Sequence, residues 1–293
     1  MRITDKIIFD TMQASVMDNR DRLFLIQQQI AENKKILKPS DDPRTAEKLI
    51  TLKASRSEIE QFQRNVTSGK ASLEMSGNSL AEAGDLLVRA KEIAVQLSDD
   101  VYTAGDRSLA AAEVGELYNR MLAIANVKLG SEYLFSGFRS DTPPYDASGA
   151  YQGDNGSKEI RIGPNEKVAL NLVGIDVFGS GASGILRDLA ALRDALAVND
   201  VAAVRTAMQE MDQGMQNIFR NQALLGARVK SMELEEGTLR NFGTEITGQI
   251  ADAEDLDIAF AAMNLKKQEA AFEAALQVAG RISSLTILDV IKR

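Results

Sequence analysis

The chain has no cysteine, no histidine and no tryptophan among its 293 residues. Without cysteine there is no disulfide, no thiolate nucleophile and no thiolate metal ligand. Without histidine the commonest general base and transition-metal ligand is missing. An enzyme is therefore not expected: no catalytic residue, metal ligand or cofactor site is assigned. Basic residues are outnumbered by acidic ones, 34 against 42, for a net charge of −8. Lys34, Lys35 and Lys38 make a short basic cluster and no long one exists. Neither nucleic acid nor an anionic membrane is expected as a partner. No segment reaches the roughly 18 apolar residues of a membrane-spanning helix. The opening M-R-I-T-D-K-I-I-F-D-T-M is interrupted by Asp5, Lys6 and Asp10. That breaks the apolar run of about 7–15 residues that a Sec signal needs. The chain is expected to stay in the cytosol or to leave it by another route.

What the sequence does have is period. Steps of three and four residues keep side chains on one seam of a supercoiled helix. From Leu52 those steps reach Ser55, Ile59, Phe62, Val66, Gly69, Leu73, Ser76, Leu80, Ala83, Leu87, Ala90, Ala94 and Leu97, all apolar or small. A second run goes from Val201 through Val204, Met208, Met211, Met215, Ile218, Gln222, Leu225, Val229, Met232, Glu236, Leu239, Gly243 and Ile246 to Ile250. Each run covers about 50 residues, or roughly 75 Å of helix. Helices of that length need partners to bury their seams. Val114, Leu117, Met121 and Ile124 mark a shorter third helix.

The two ends carry the same spacing. Phe9, Met12, Val16, Asn19, Leu23, Ile26 and Ile30 form a stripe, with Ile3, Ile7, Ala14 and Leu25 on roughly the opposite side. Near the other end, Ile258, Leu265, Phe272, Leu276 and Ala279 form one stripe, and Phe260, Val278, Ile282 and Leu285 another. One stripe on each would pack the ends together. A second stripe has nothing to cover it in a monomer, and such surface marks an interface. The expected assembly interface is Ile3, Ile7, Phe9, Met12, Val16, Leu23, Ile26, Ile30, Ile258, Leu265, Phe272, Leu276, Ile282 and Leu285. Between the long runs, from Gly130 to Gly184, the helical period stops. Ile160 and Ile162, then Val168, Leu170 and Leu172, alternate with polar residues around Gly163-Pro164-Asn165-Glu166. This predicts a small antiparallel β insertion.

The fold class expected is mainly α: a long antiparallel helical coiled-coil rod formed by the N- and C-terminal regions, with a small antiparallel β insertion at its tip. Its parts would be a terminal layer of residues 1–38 and 251–293, a rod of 39–130 and 184–250, and a tip of 131–183.

Three polar motifs need a reading. In K-P-S-D-D-P, Pro39 disfavours helix at the residue before it. Asp42 suits a helix N-cap with Pro43 in the first helical position. A turn between layers, with Asn33, Pro39, Asp42 and Pro43 as its key residues, is favoured over a calcium loop, which would need more oxygen ligands. The acids Asp252, Glu254, Asp255 and Asp257 read as the start of the last helix, where they complement its dipole. G-S-G-A-S-G at Gly179–Gly184 matches a dinucleotide-binding turn formally. The second parallel strand such a site requires does not follow, so it reads as a flexible return.

These residues converge on a family. M-R-I-T at Met1–Thr4, K-P-S-D-D-P at Lys38–Pro43, Y-L-F-S-G-F-R-S-D-T-P-P-Y at Tyr133–Tyr145, L-L-G-A-R at Leu224–Arg228, A-E-D-L-D at Ala253–Asp257 and S-S-L-T-I-L-D at Ser283–Asp289 occur in order. Together they resemble the hook-associated proteins of the bacterial hook–filament junction, relatives of flagellin. Glu32-Asn33 stands where that family commonly has Ser-Gly before the basic pair. Asn tolerates the left-handed backbone of a helix end almost as well as Gly; a helix continuing to Leu37 is the alternative. The resemblance implies a structural subunit exported unfolded by the flagellar type III apparatus without a cleaved signal. It implies an extracellular ring of identical subunits between hook and filament, whose partners are the first hook-associated protein and flagellin. An export chaperone would bind the C-terminal region in the cytoplasm. The rival readings are a short flagellin and, from another class, a nucleotide-binding enzyme built on Gly179–Gly184.

Overall fold

The computed structural model describes the backbone of residues 2–291 and the side chains of residue 7 and residues 9–281. Ile3, Ile282 and Leu285 of the expected interface lie outside the described side chains. The protein is mainly α. In chain order it runs α1 (Arg2–Glu32), α2 (Pro43–Leu97), α3 (Ala104–Ala125), β1 (Lys128–Leu129), β2 (Glu132–Tyr133), β3 (Glu159–Arg161), β4 (Lys167–Ala169), α4 (Gly174–Val177), α5 (Ile185–Ala197), α6 (Val201–Glu254) and α7 (Ile258–Ile291). Long helices around a small antiparallel β insertion are the fold class the sequence predicts. The chain divides into two compact units, Met1–Glu58 with Gly243–Arg293, and Ile59–Phe242.

The larger unit holds the dry core. Every seam position of α2 from Phe62 to Leu97 is buried, with Val66, Leu73, Leu80, Ala83 and Leu87 fully enclosed. On α6 the facing seam residues Val204, Met211, Ile218, Leu225 and Met232 are buried too. Val114, Leu117, Met121 and Ile124 bury one face of α3, which packs along α5. A capping box opens α3: the Thr103 hydroxyl accepts from the Asp106 amide, and the Asp106 carboxylate accepts from the Thr103 amide at 2.9 Å. Arg107 is buried, and no carboxylate forms an ion pair with it among the described residues. Its guanidinium donates to the carbonyls of Leu97 and Asp99 and to Oδ1 of Asn199, at 2.6–2.9 Å. Those carbonyls lie at and just beyond the negative end of the α2 dipole, which offsets part of the cost of burying the charge.

The β insertion contains two antiparallel hairpins. β3 and β4 pair Ile160 with Val168 across the Gly163–Glu166 turn that the alternation predicts. β1 and β2 form a tighter hairpin that the sequence pattern does not reveal, turning at Gly130 and Ser131 with φ +63° at the glycine. Phe135, Tyr145, Tyr151 and Phe178 form the insertion's aromatic core, with ring centroids 5.1–6.1 Å apart. The long helices hold this insertion mainly through main-chain carbonyls. Asn65 Nδ2 donates to Arg161 O, Asn217 Nδ2 to Asp176 O, and Arg228 Nη1 to the carbonyls of Ala169 and Asn171. Gly69 makes the close approach possible. A Cβ there would sit 2.8 Å from both Leu170 Cδ2 and Met232 Cε.

Candidate assembly surface

The smaller unit is built around α1 and α7, which pack along each other. On α1 a half-buried stripe runs through Met12, Val16, Asn19, Leu23, Ile26 and Ile30, in alternating steps of three and four. On α7 the corresponding stripe is Ala261, Leu265, Gln268, Phe272, Ala275 and Ala279. Of the residues chosen from sequence, Leu265 and Phe272 lie in this stripe, whereas Ile258 and Leu276 are exposed. Ala261, Gln268 and Ala275 take the intervening positions. One polar contact crosses the seam: Gln268 Nε2 donates to Asn19 Oδ1 at 3.0 Å and to Asn19 O at 3.2 Å. A polar pair in an apolar seam fixes register at a cost in stability.

Away from that seam both helices remain apolar. Ile7, Phe9, Met17, Phe24 and Leu25 are exposed on α1, Phe24 by 59%. Ile258, Phe260, Met263, Leu276 and Val278 are exposed on α7, Met263 also by 59%. A groove of about 500 Å³ opens between the two helices, lined by Ile7, Met12, Val16, Ala274, Ala275 and Val278 among others. Five large exposed hydrophobics on each of two helices exceed the scattered singles of an ordinary surface.

Two turns lock together in the same unit. α1 stops at Glu32, and Asn33 takes the left-handed backbone with φ 53°. The Asn33 carbonyl accepts from the Leu256 amide, and the Lys35 amide donates to the Glu254 carbonyl at 2.8 Å. The turn that joins α6 to α7 is thereby laced to the turn that joins α1 to α2. Within K-P-S-D-D-P the two acids act in opposite directions. Asp41 accepts backward from the amides of Leu37 and Lys38. Asp42 accepts forward from the amides of Arg44 and Thr45 and from the Thr45 hydroxyl, capping α2 at Pro43. Those hydrogen bonds, led by the Thr45 hydroxyl, hold the Asp42 carboxyl below its usual range.

Asp252 and Glu254 are placed differently from the sequence reading: both lie in the last turn of α6, not at the start of α7. Glu254 ends α6, and Asp257 is the residue that caps α7, through the Phe260 amide at 3.0 Å. A carboxylate at a helix C-terminus opposes the dipole. Here two lysines compensate: Lys53 Nζ lies 2.7 Å and Lys34 Nζ 3.0 Å from its two oxygens. The hydrogen bond from Lys53 is the leading cause that lowers the Glu254 pKa; burial works the other way. Among the described residues, no cluster of three or more acidic side chains could hold a metal ion, and no helix is long and apolar enough to cross a membrane.

Residues 3–140 match the family model of the bacterial flagellin N-terminal helical region. That span runs from α1 to the first part of the β insertion. The flagellar hook-associated protein 3 of Escherichia coli K12 is 21% identical over 319 residues, covering 100% of each chain. The chain is similar to hook-associated protein 3 over its whole length and to the flagellin family in its N-terminal part. The fold agrees. A flagellar hook-associated protein structure from Vibrio parahaemolyticus superposes with a TM-score of 0.68 at 21% identity, over 73% of this chain and 100% of the other. The flagellar junction protein FlgL of Legionella pneumophila gives 0.59 at 19% identity, over 71% and 99%. The resemblance first visible in the short motifs therefore extends through the whole chain.

Proposed function

We propose that this chain is a structural subunit of the hook–filament junction. The observation that carries the reading is the pair of terminal helices that bury one stripe on each other and leave a second apolar face open. In the assembled flagellum, copies of the chain form a ring. Ile7, Phe9, Ile258 and Leu276 meet neighbouring subunits, along with Ile3, Ile282 and Leu285. Met12, Val16, Leu23, Ile26, Ile30, Leu265 and Phe272 hold the two helices together. Residues 1–38 and 251–293 are the layer facing the tube interior, 39–130 and 184–250 the outer helical layer, and 131–183 the tip. Asn33, Pro39, Asp42 and Pro43 make the connection between layers. The ring seats on the first hook-associated protein and presents a matching surface to flagellin. The subunit leaves the cell through the flagellar type III apparatus, held beforehand by an export chaperone that covers its apolar C-terminal helix.

The test is a strain deleted for this gene, with the cell surface imaged by electron microscopy and flagellin assayed in the medium. The expected result is hooks without filaments and flagellin monomers in the medium. Hooks without filaments and no flagellin anywhere would make the chain the filament subunit. Normal filaments, with no second copy of the gene, would overturn the assignment.

A further inference from the structure

In the larger unit a cleft of about 320 Å³ lies between the start of α5 and the face of α6. The G-S-G-A-S-G turn forms one wall, with left-handed backbone at Gly179, Gly181 and Gly184. α4 contributes Ile175 and Val177, and α6 contributes Glu210, Gln213, Gly214 and Asn217. Asp188, in the first turn of α5, also lines it. Its residue surface is 3% exposed, and its Oδ1 atom is buried with no hydrogen-bond partner. Such an orphan is costly, because a desolvated carboxylate oxygen without a donor loses its hydration and gains nothing in return.

Two charged side chains act on this carboxylate. Arg187, next to it on α5, has Nη1 at 3.6 Å from Asp188 Oδ1, beyond hydrogen-bond distance. The same Nη1 is 3.1 Å from Glu210 on α6. Glu210 therefore draws the guanidinium away and adds its own repulsion. Burial first, then Glu210, push the Asp188 carboxyl up to about 6, against a partial counter-effect from Arg187. The α4 and glycine-turn residues that line the cleft carry no charge. With Arg187 held by Glu210 short of hydrogen-bond contact, the ion small enough to neutralise the buried oxygen without opening the cleft is a proton.

We propose that the α5–α6 cleft is a proton-operated latch, with Asp188 as the group that takes the proton. Neutral Asp188 lets the first turn of α5 and the glycine turn pack dry against α6. Ionised Asp188 draws water and the Arg187 guanidinium into the cleft, and that turn loosens. The glycines suit this role, since φ near +90° to +100° is open to them at no steric cost and the turn re-forms readily. The sign follows from linkage: a carboxyl whose folded pKa lies above its unfolded value of 3.8 favours the closed form at low pH. The preference is lost as pH rises from about 4 through about 6.

The experiment is hydrogen exchange of the full chain between pH 5 and 7.5, corrected for intrinsic exchange, read at residues 179–190. The wild type is expected to lose roughly tenfold protection there across that range, part of the ~100-fold that a two-unit shift allows. Asp188→Asn is expected to stay protected throughout. Glu210→Gln, which keeps Asp188 ionisable, is expected to move the loss to lower pH. Equal pH profiles in wild type and Asp188→Asn would overturn the latch. If Asp188→Asn does not fold, an unchanged midpoint in Glu210→Gln would overturn it instead. Restored protection at pH 7.5 on adding millimolar sodium, magnesium or calcium would also overturn it, by making the cleft a site for a foreign cation.

Discussion

The same three-and-four spacing gives a dry core in one unit and a half-wet seam in the other. On α2, the positions from Phe62 to Leu97 are all buried. On α1, Met12 to Ile30 along the corresponding stripe are all only half-buried. The side chains are of the same kinds; the number of partners differs. Within the larger unit, α2 is surrounded by α6, the α3–α5 pair and the β insertion, so each seam residue is enclosed on several sides. α1 has α7 along most of its length. Two helices alone leave their stripes open at the flanks, and their remaining apolar faces uncovered. Period tells which residues share a face, and the count of neighbouring elements decides how dry that face becomes.

Cavity substitutions should separate the units most strongly. Leu80→Ala removes a fully enclosed side chain from α2. It should cost about 2–5 kcal/mol, the range for buried leucine. Leu23→Ala, half-buried in the α1–α7 seam, should cost about 1 kcal/mol or less in the isolated chain, since part of its surface is already wet. Urea unfolding monitored by circular dichroism, with separate exchange readouts for the two units, measures both. Equal costs would mean that the smaller unit is as well packed as the larger one.

The next contrast is between two carboxylates with opposite pH behaviour. Glu254, in the smaller unit, is ion-paired and its pKa is lowered. Its contribution is therefore present above the ordinary carboxylate range and is lost as pH falls through its folded value. Glu254→Gln should weaken the clasp of turns by about 1–2 kcal/mol at pH 7, discounted because both lysines are over 40% exposed. It should also flatten the acid limb of the smaller unit's stability. Asp188, in the larger unit, has the reverse sign: stability should fall as pH rises from about 4 to about 6. Stability profiles of Glu254→Gln and Asp188→Asn from pH 3.5 to 7.5 should therefore each lose one slope, on opposite limbs. A common slope lost in both would show that the two carboxylates report on one global transition.

These two acids also show where sequence is a poor guide. The α2 seam was readable because it repeats over many turns without a charge. The α7 seam was only half readable, because apolar residues lie on both sides of that helix. Ile258 and Leu276 have the spacing of seam residues, while the structure uses Ala261, Gln268 and Ala275, which are too small or too polar to stand out. Glu254 looked like a first-turn acid of α7. At the end of α6 its charge is balanced by Lys34 and Lys53, which lie far away in the sequence. Nothing in the local sequence marks Asp188: it is buried beside a cleft whose other wall is α6, more than twenty residues on. Local motifs fared better: the paired acids of K-P-S-D-D-P need only their neighbours within four residues.

The smallest effect tests the point at which α1 ends. Asn33 sits at φ 53°, where a side chain with a Cβ is strained unless, as in asparagine, it can bond locally. Asn33→Ala should cost about 1 kcal/mol, and Asn33→Gly should be neutral within a few tenths, its easier backbone offset by a more flexible unfolded chain. The difference between the two variants isolates backbone strain from side-chain loss, because neither retains the amide. The Asn33 carbonyl that accepts from Leu256 is unchanged in both, so the lacing of the two turns should survive. If Asn33→Ala were as stable as Asn33→Gly, α1 would run on past residue 33 in solution. The half-wet seam of the smaller unit would then be longer than the one described, narrowing its contrast with the larger unit.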